Sequence, residues 1–141
     1  MAPLVDNPQL SPRDSIGQIV TGDPVTVDEK LTLRSIAAVL SASDIGAALV
    51  HREGRPVGVV SERDVVRALA EDADPDTVWS ADVMTEDLVT ADALEAILRV
   101  AFRMIDERIR HLAIARDGDV IGVVSSRDVF AVLAEDALEA G

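Results

Sequence analysis

The sequence predicts an α+β fold made of two pseudo-symmetric β-α-β-β-α repeats packed sheet to sheet. Three observations lead there. The stretch GVVSERD at 58–64 returns as GVVSSRD at 122–128, an offset of 64. At that offset fifteen of the thirty residues in 44–73 are identical to those in 108–137, which marks an internal duplication. In both copies the apolar pattern switches at matching places between a period near 3.6 and the short continuous runs of buried strands.

Taken in order, residues 1–14 hold three of the six prolines and predict a flexible arm. The first repeat, 15–73, opens on IVTGDPVTV, a short strand followed by Asp28, the expected N-cap of the next helix. Leu33, Ile36, Ala37 and Leu40 fall on one face of that helix. AALVH at 47–51 reads as a buried strand, Glu53-Gly54 as a turn and PVGVV as the return strand. Ser61 then opens a last helix with Val65, Val66 and Leu69 inward. A linker, 74–80, carries Pro75, with a short helix expected around Val78 to Val83 and Trp79 anchoring it against the sheets.

The second repeat, 81–137, runs through the same elements. Asp92 is its expected cap, and Ile97, Val100, Ala101 and Met104 form its apolar stripe. HLAIA, Asp117-Gly118 and VIGVV make its hairpin, and Ser125 opens a helix with Val129, Phe130, Val132 and Leu133 inward. Residues 138–141 are a tail. A three-stranded sheet with both helices on one side leaves its other side apolar, so each copy is expected to cover the other.

The composition narrows the function. With 48% apolar residues but only 2% aromatic, the core must be built of Val, Leu, Ile and Ala. A net charge of −13 disfavours nucleic acid and anionic membranes as partners. No cysteine is present, the N-terminus lacks the order of a signal peptide, and no apolar run reaches membrane-spanning length; a cytoplasmic protein is expected. Two histidines in no metal spacing, with no P-loop or Gly-x-Ser-x-Gly, point away from catalysis. The cations are twelve arginines and the single Lys30, so an anion site here would use planar guanidinium groups.

The repeated Ser-x-x-Asp has two readings. In one it is a capping box, with Ser61 accepting from the Asp64 N–H. In the other, aspartate is short for the reach that completes the box, and it stands free at a strand end where a ribose diol can donate to it. The free N–H groups of the helix start suit an anion, and Gly58 lets a ligand approach the backbone. Arg63 and Arg127, which follow the serines, suit either phosphates or neighbouring acids, and His51 reads as a plain strand end.

With the paired units, the Gly-h-Val-Ser-x-x-Asp endings, VMTEDLVT at 83–90 and IRHLAI at 109–114, the chain resembles a cystathionine β-synthase (CBS) domain pair, or Bateman module, standing alone. The resemblance implies a regulatory module that binds AMP, ADP, ATP or S-adenosylmethionine between its repeats and acts in trans on an unknown protein target. It implies one site of Thr26, Ile45, Val59, Ser61 and Asp64 around adenosine, with Arg110 and His111 on phosphate. A weaker, pseudo-symmetric site uses Thr90, Ile109, Val123, Ser125 and Asp128. Gly46 and Ala47 stand where the first repeat would need its own basic pair, so the second site lacks a clamp. Val20-Thr21, in place of the Met84-Thr85 seen in the second repeat, alters the shape of the adenine pocket. No resident cofactor is implied, and magnesium would enter only with ATP. A homodimer is also implied, for which the Ala-rich last helices offer flat faces; the competing reading is a dimeric adaptor that has lost its ligand.

Overall fold

The computed structural model describes residues 9–140. A 3-10 turn, Ile16–Gln18, precedes β1 (Thr26–Asp28), α1 (Leu33–Ser43), β2 (Ala47–Arg52), β3 (Arg55–Ser61) and α2 (Glu62–Ala70). A short α3 (Ser80–Val83) leads to β4 (Thr90–Asp92), α4 (Ile97–Glu107), β5 (His111–Arg116), β6 (Asp119–Ser125) and α5 (Ser126–Ala140). Each repeat is a three-stranded mixed sheet of order β1-β2-β3 or β4-β5-β6, with the first pair parallel and the second antiparallel. Ser61 pairs with Ala47 and Ser125 with His111, so the offset of 64 is kept in the hydrogen-bond register. Even the bulges recur, at Val50/His51 and Ile114/Ala115. Both hairpins turn through two residues of positive φ, Glu53-Gly54 and Asp117-Gly118, the geometry that matches strand twist.

The stripes enter the core largely as expected. Leu33, Ile36 and Leu40 are buried on α1, and Ile97, Val100, Ala101 and Met104 on α4. Ala37 is exposed instead. On α2 the buried residues are Val65 and Ala68, while Val66 and Leu69 face water, and on α5 Phe130 does so too. A nine-residue helix lying on a sheet buries a narrower stripe than the sequence run offers.

The two leading segments cross over. The core of the second repeat includes Ile16, with Leu10, Ile19 and Val20 packed on it. That of the first repeat takes in Ala73, Val78, Val83 and Met84. The α1 N–H groups of Leu33 and Arg34 donate to the carbonyls of Val78 and Pro75, and those of Ile97 and Leu98 on α4 donate to Asp14 and Pro12. This backbone supply explains why Asp28 and Asp92 are not the N-caps. Thr32 and Ala96 hold that position, and the two aspartates close turns onto the N–H groups of Lys30 and Leu94.

Residues 10–14, expected in the flexible arm, are therefore bonded to the second repeat; residues 1–8 of that arm lie outside the described residues. The expected tail is helical as far as Ala140, with Gly141 also outside. In the linker the buried anchor is Ser80, whose hydroxyl donates to the Asp28 carbonyl at 2.6 Å. Trp79 is partly exposed, with the Lys30 ammonium 5.8 Å from its ring centroid. No helix among the described residues is long and apolar enough to cross a membrane.

Candidate ligand-binding site

β3 and β6 each end on a serine that starts the following helix. Ser61 Oγ accepts from the Asp64 N–H at 3.2 Å, and Asp64 Oδ2 accepts from the Ser61 N–H at 2.8 Å and its hydroxyl at 2.9 Å. The second copy repeats the pair at 3.1 and 3.0 Å between Ser125 and Asp128. Aspartate does reach back, against the expectation, because the extended backbone of Ser61 (φ −115°, ψ 164°) presents its N–H to the first helical turn. The cap occupies only Oδ2. Asp64 Oδ1 accepts no hydrogen bond from the described residues, so the capping and ligand readings are compatible.

A cleft of about 730 Å³ lies between the repeats. It brings together Ile45, Val59, Ser61, Asp64, Arg110 and His111, and Ile109, Val123, Ser125 and Asp128 line the same space. The two expected sites are thus halves of one cleft. Thr26 and Thr90 do not line it: each opens an exposed edge strand on the far side of its sheet from the serine strand. Beside Val59 stands the segment leading into β4, which contributes Thr85, Asp87, Leu88 and Val89. The sequence sets Val20-Thr21 at the adenine pocket, but the crossover exchanges the two segments, so Val20 packs on Gly122 and Thr85, from VMTEDLVT, lines the cleft instead.

Thr85 and Val59 exchange backbone hydrogen bonds of 2.9 and 3.1 Å. Gly58 serves this contact rather than a ligand, since a Cβ there would stand 2.6 Å from the Thr85 carbonyl oxygen and 2.8 Å from Met84 Sδ. The counterpart Gly122 faces Val20, but no bridge joins Thr21 to Val123 among the described residues. Instead Gly22, Asp23 and Pro24 line a separate pocket with Arg116. Only the first half of the cleft has this wall.

His111 lies directly across the ladder from Ser125, with its Nε2 3.4 Å from where a Cβ on Gly46 would be. A larger residue at 46 would push against the ring. Burial holds the imidazole below its ordinary pKa of 6.5, while Asp64 and then Asp128 pull the other way, Arg110 lowers it and Glu62 raises it. The ring therefore senses both halves of the cleft. Arg108, at φ +56°, ends α4 in the left-handed region and turns the chain toward Arg110 and His111.

Five arginines line this cleft, at 63, 67, 108, 110 and 127. They face five acids, Asp44, Glu62, Asp64, Asp87 and Asp128, so the cleft is locally balanced within a chain of net charge −13. None of the five guanidinium groups is ion-paired among the described residues; the pairs seen are Arg34–Asp76, Arg52–Glu29 and Arg103 with Glu95 and Glu107. Unpaired planar cations around a cleft of nucleotide size suit a phosphate or another anion. Among the described residues no group of three or more His, Asp or Glu could hold a metal ion.

Two tandem units with this topology and site define a CBS domain pair. The sequence pattern of the CBS domain family matches residues 16–71 and 80–135, and the chain belongs to that family. It is similar to the CBS domain protein PAE2072 from Pyrobaculum aerophilum, solved in complex with AMP, at 30% identity and a TM-score of 0.76, covering 88% of this chain and 98% of that one. The CBS-domain protein ATU1752 from Agrobacterium tumefaciens matches at 25% identity and a TM-score of 0.78, over 86% and 94% of the two chains. Among curated proteins, the uncharacterized protein MK0525 of Methanopyrus kandleri is 29% identical over 121 residues, 84% of this chain. The chain spans 62% of MK0525, and 44% of MJ1225 of Methanocaldococcus jannaschii, which it also matches.

Proposed function

We propose that the chain is a regulatory module that binds one adenosine nucleotide in the first half of the cleft. Asp64 Oδ1 takes the ribose hydroxyls, Ile45, Val59 and Leu88 wall the base, and Arg110 with His111 holds the phosphate. The carrying observation is the convergence of five unpaired arginines beside a carboxylate whose second oxygen is free of the cap. The AMP complex of the 30% identical PAE2072 supports the ligand class. The second half lacks the Thr85-type wall, and His111 stands beside its serine, so it is the weaker half. A ligand touching both repeats favours one angle between them, and a protein partner reads that angle.

Calorimetric titration with AMP, ADP, ATP and S-adenosylmethionine tests this reading. One tight site per chain is expected for a phosphate-bearing ligand. Two equal sites would contradict the asymmetry. No heat with any of them would favour the ligand-free adaptor, a reading that the complete capping box also supports, because it gives Ser61 and Asp64 a purely structural task.

A further inference from the structure

A second pocket, of about 400 Å³, shares no residue with the cleft. Gly17, Gly22 and Asp23 of the crossing segment line it together with Arg116 of β5, over an apolar wall of Val120 and Ile121. Its origin shows at the offset of 64. In the first repeat the equivalent Arg52 is held by Glu29 at 2.5 Å, with the charges of Glu86 and Glu53 acting on it as well. The counterparts of Glu29 and Glu86 are Ala93 and Gly22, and that of Ala81 is Gly17; only Glu53 has an acidic counterpart, Asp117. The second repeat thus keeps the arginine and lacks two of the carboxylates that surround it in the first, and a methyl group besides.

Arg116 makes no ion pair among the described residues. A Cβ on Gly17 would stand 2.9 Å from Arg116 Nη2 and 2.9 Å from Ala93 Cβ, so glycine there lets the guanidinium lie against the backbone. Gly22, at φ +76°, bends the chain, and the N–H groups of Gly22 and Asp23 find no backbone acceptor among the described residues. A planar cation and two unengaged amides are donors that a carboxylate accepts from. We propose that this pocket binds a small organic carboxylate, which takes the place at Arg116 that Glu29 fills at Arg52, with its hydrocarbon part on Val120 and Ile121. The carboxylate of Asp23 and a net charge of −13 weigh against a phosphate dianion. The bound molecule joins the segment that leads into β1 to the second repeat, and so opposes a change of angle between the repeats.

This site does not rest on the nucleotide reading, because its residues lie outside the cleft. Nuclear magnetic resonance of the isotope-labelled chain, titrated with isovalerate at constant ionic strength, tests it. The amide signals of Gly22 and Asp23 should move saturably, while those of their counterparts Glu86 and Asp87 stay in place. Arg116→Gln, at an exposed position, should raise the dissociation constant at least about 10-fold. Ala93→Glu returns the internal acid and should abolish the shifts. No saturable movement in the wild type, equal movement at both pairs of amides, or undiminished affinity in Arg116→Gln would overturn the site. Inorganic phosphate binding more tightly than isovalerate would overturn the choice of a carboxylate. AMP is read at the amides of Gly46 and Ser61, so failure of this site is distinguishable from failure of the nucleotide reading.

Discussion

Replacing Asp64 by alanine, and in parallel Asp128 by alanine, separates the helix cap from the ligand contact. The two carboxylates make the same backbone cap, at 2.8 and 3.0 Å. Losing either should cost about 1 kcal/mol of stability, or roughly 4 °C in the unfolding midpoint for a chain of this size. Only Asp64 stands in the walled half of the cleft. AMP at about 100 times its dissociation constant adds about 2.7 kcal/mol, a rise of roughly 10 °C. Removing two charge-assisted hydrogen bonds to the diol, at about 1.5 kcal/mol or more each, weakens binding at least about 100-fold. Thermal unfolding with and without AMP should therefore show both variants slightly destabilised, with the AMP shift lost in Asp64→Ala and kept in Asp128→Ala. Asp64→Asn sharpens the test: its amide oxygen can keep the cap while an amide N–H₂ replaces the free acceptor, so stability should hold and the shift should vanish. An undiminished shift in Asp64→Ala, or equal losses in both alanine variants, would refute the assignment.

Gly58→Ala should destabilise by about 2–3 kcal/mol in urea unfolding, because its Cβ would meet a backbone carbonyl at 2.6 Å. Gly122→Ala should cost about 1 kcal/mol, since it meets Val20 Cγ1, which a small side-chain shift can move; equal costs would deny the asymmetry of the crossover. Burial depresses the His111 pKa in the folded chain, so between that value and about 6.5 the unfolded chain binds more protons. Its contribution to stability is full above about 6.5 and is lost as pH falls through that interval, a dependence that should be absent in His111→Gln. A phosphate beside the ring favours imidazolium, so the ratio of wild-type to His111→Gln affinity for AMP should grow as pH falls from about 8 to about 6. A flat ratio would remove His111 from the anion.

The duplication made the fold legible: one offset carried the strands, both hairpin turns, the core stripes and the two Ser-x-x-Asp helix starts, because each depends on residues close in sequence. Six of the seven residues expected at the first site, all but Thr26, do line one cleft. What the sequence could not determine was which copy covers which. Periodicity marks the positions that must leave water but not the sheet that covers them, so 10–14 reads as part of the arm, 15–20 as part of the first repeat and 81–85 as part of the second, whereas each packs on the other repeat. Only tertiary packing decided that they cross over, that Gly58 answers to Thr85, and that Thr26 and Thr90 fall outside the cleft. The same packing left Val66, Leu69 and Phe130 in water, because the width of the face a short helix buries is set by the sheet it lies on.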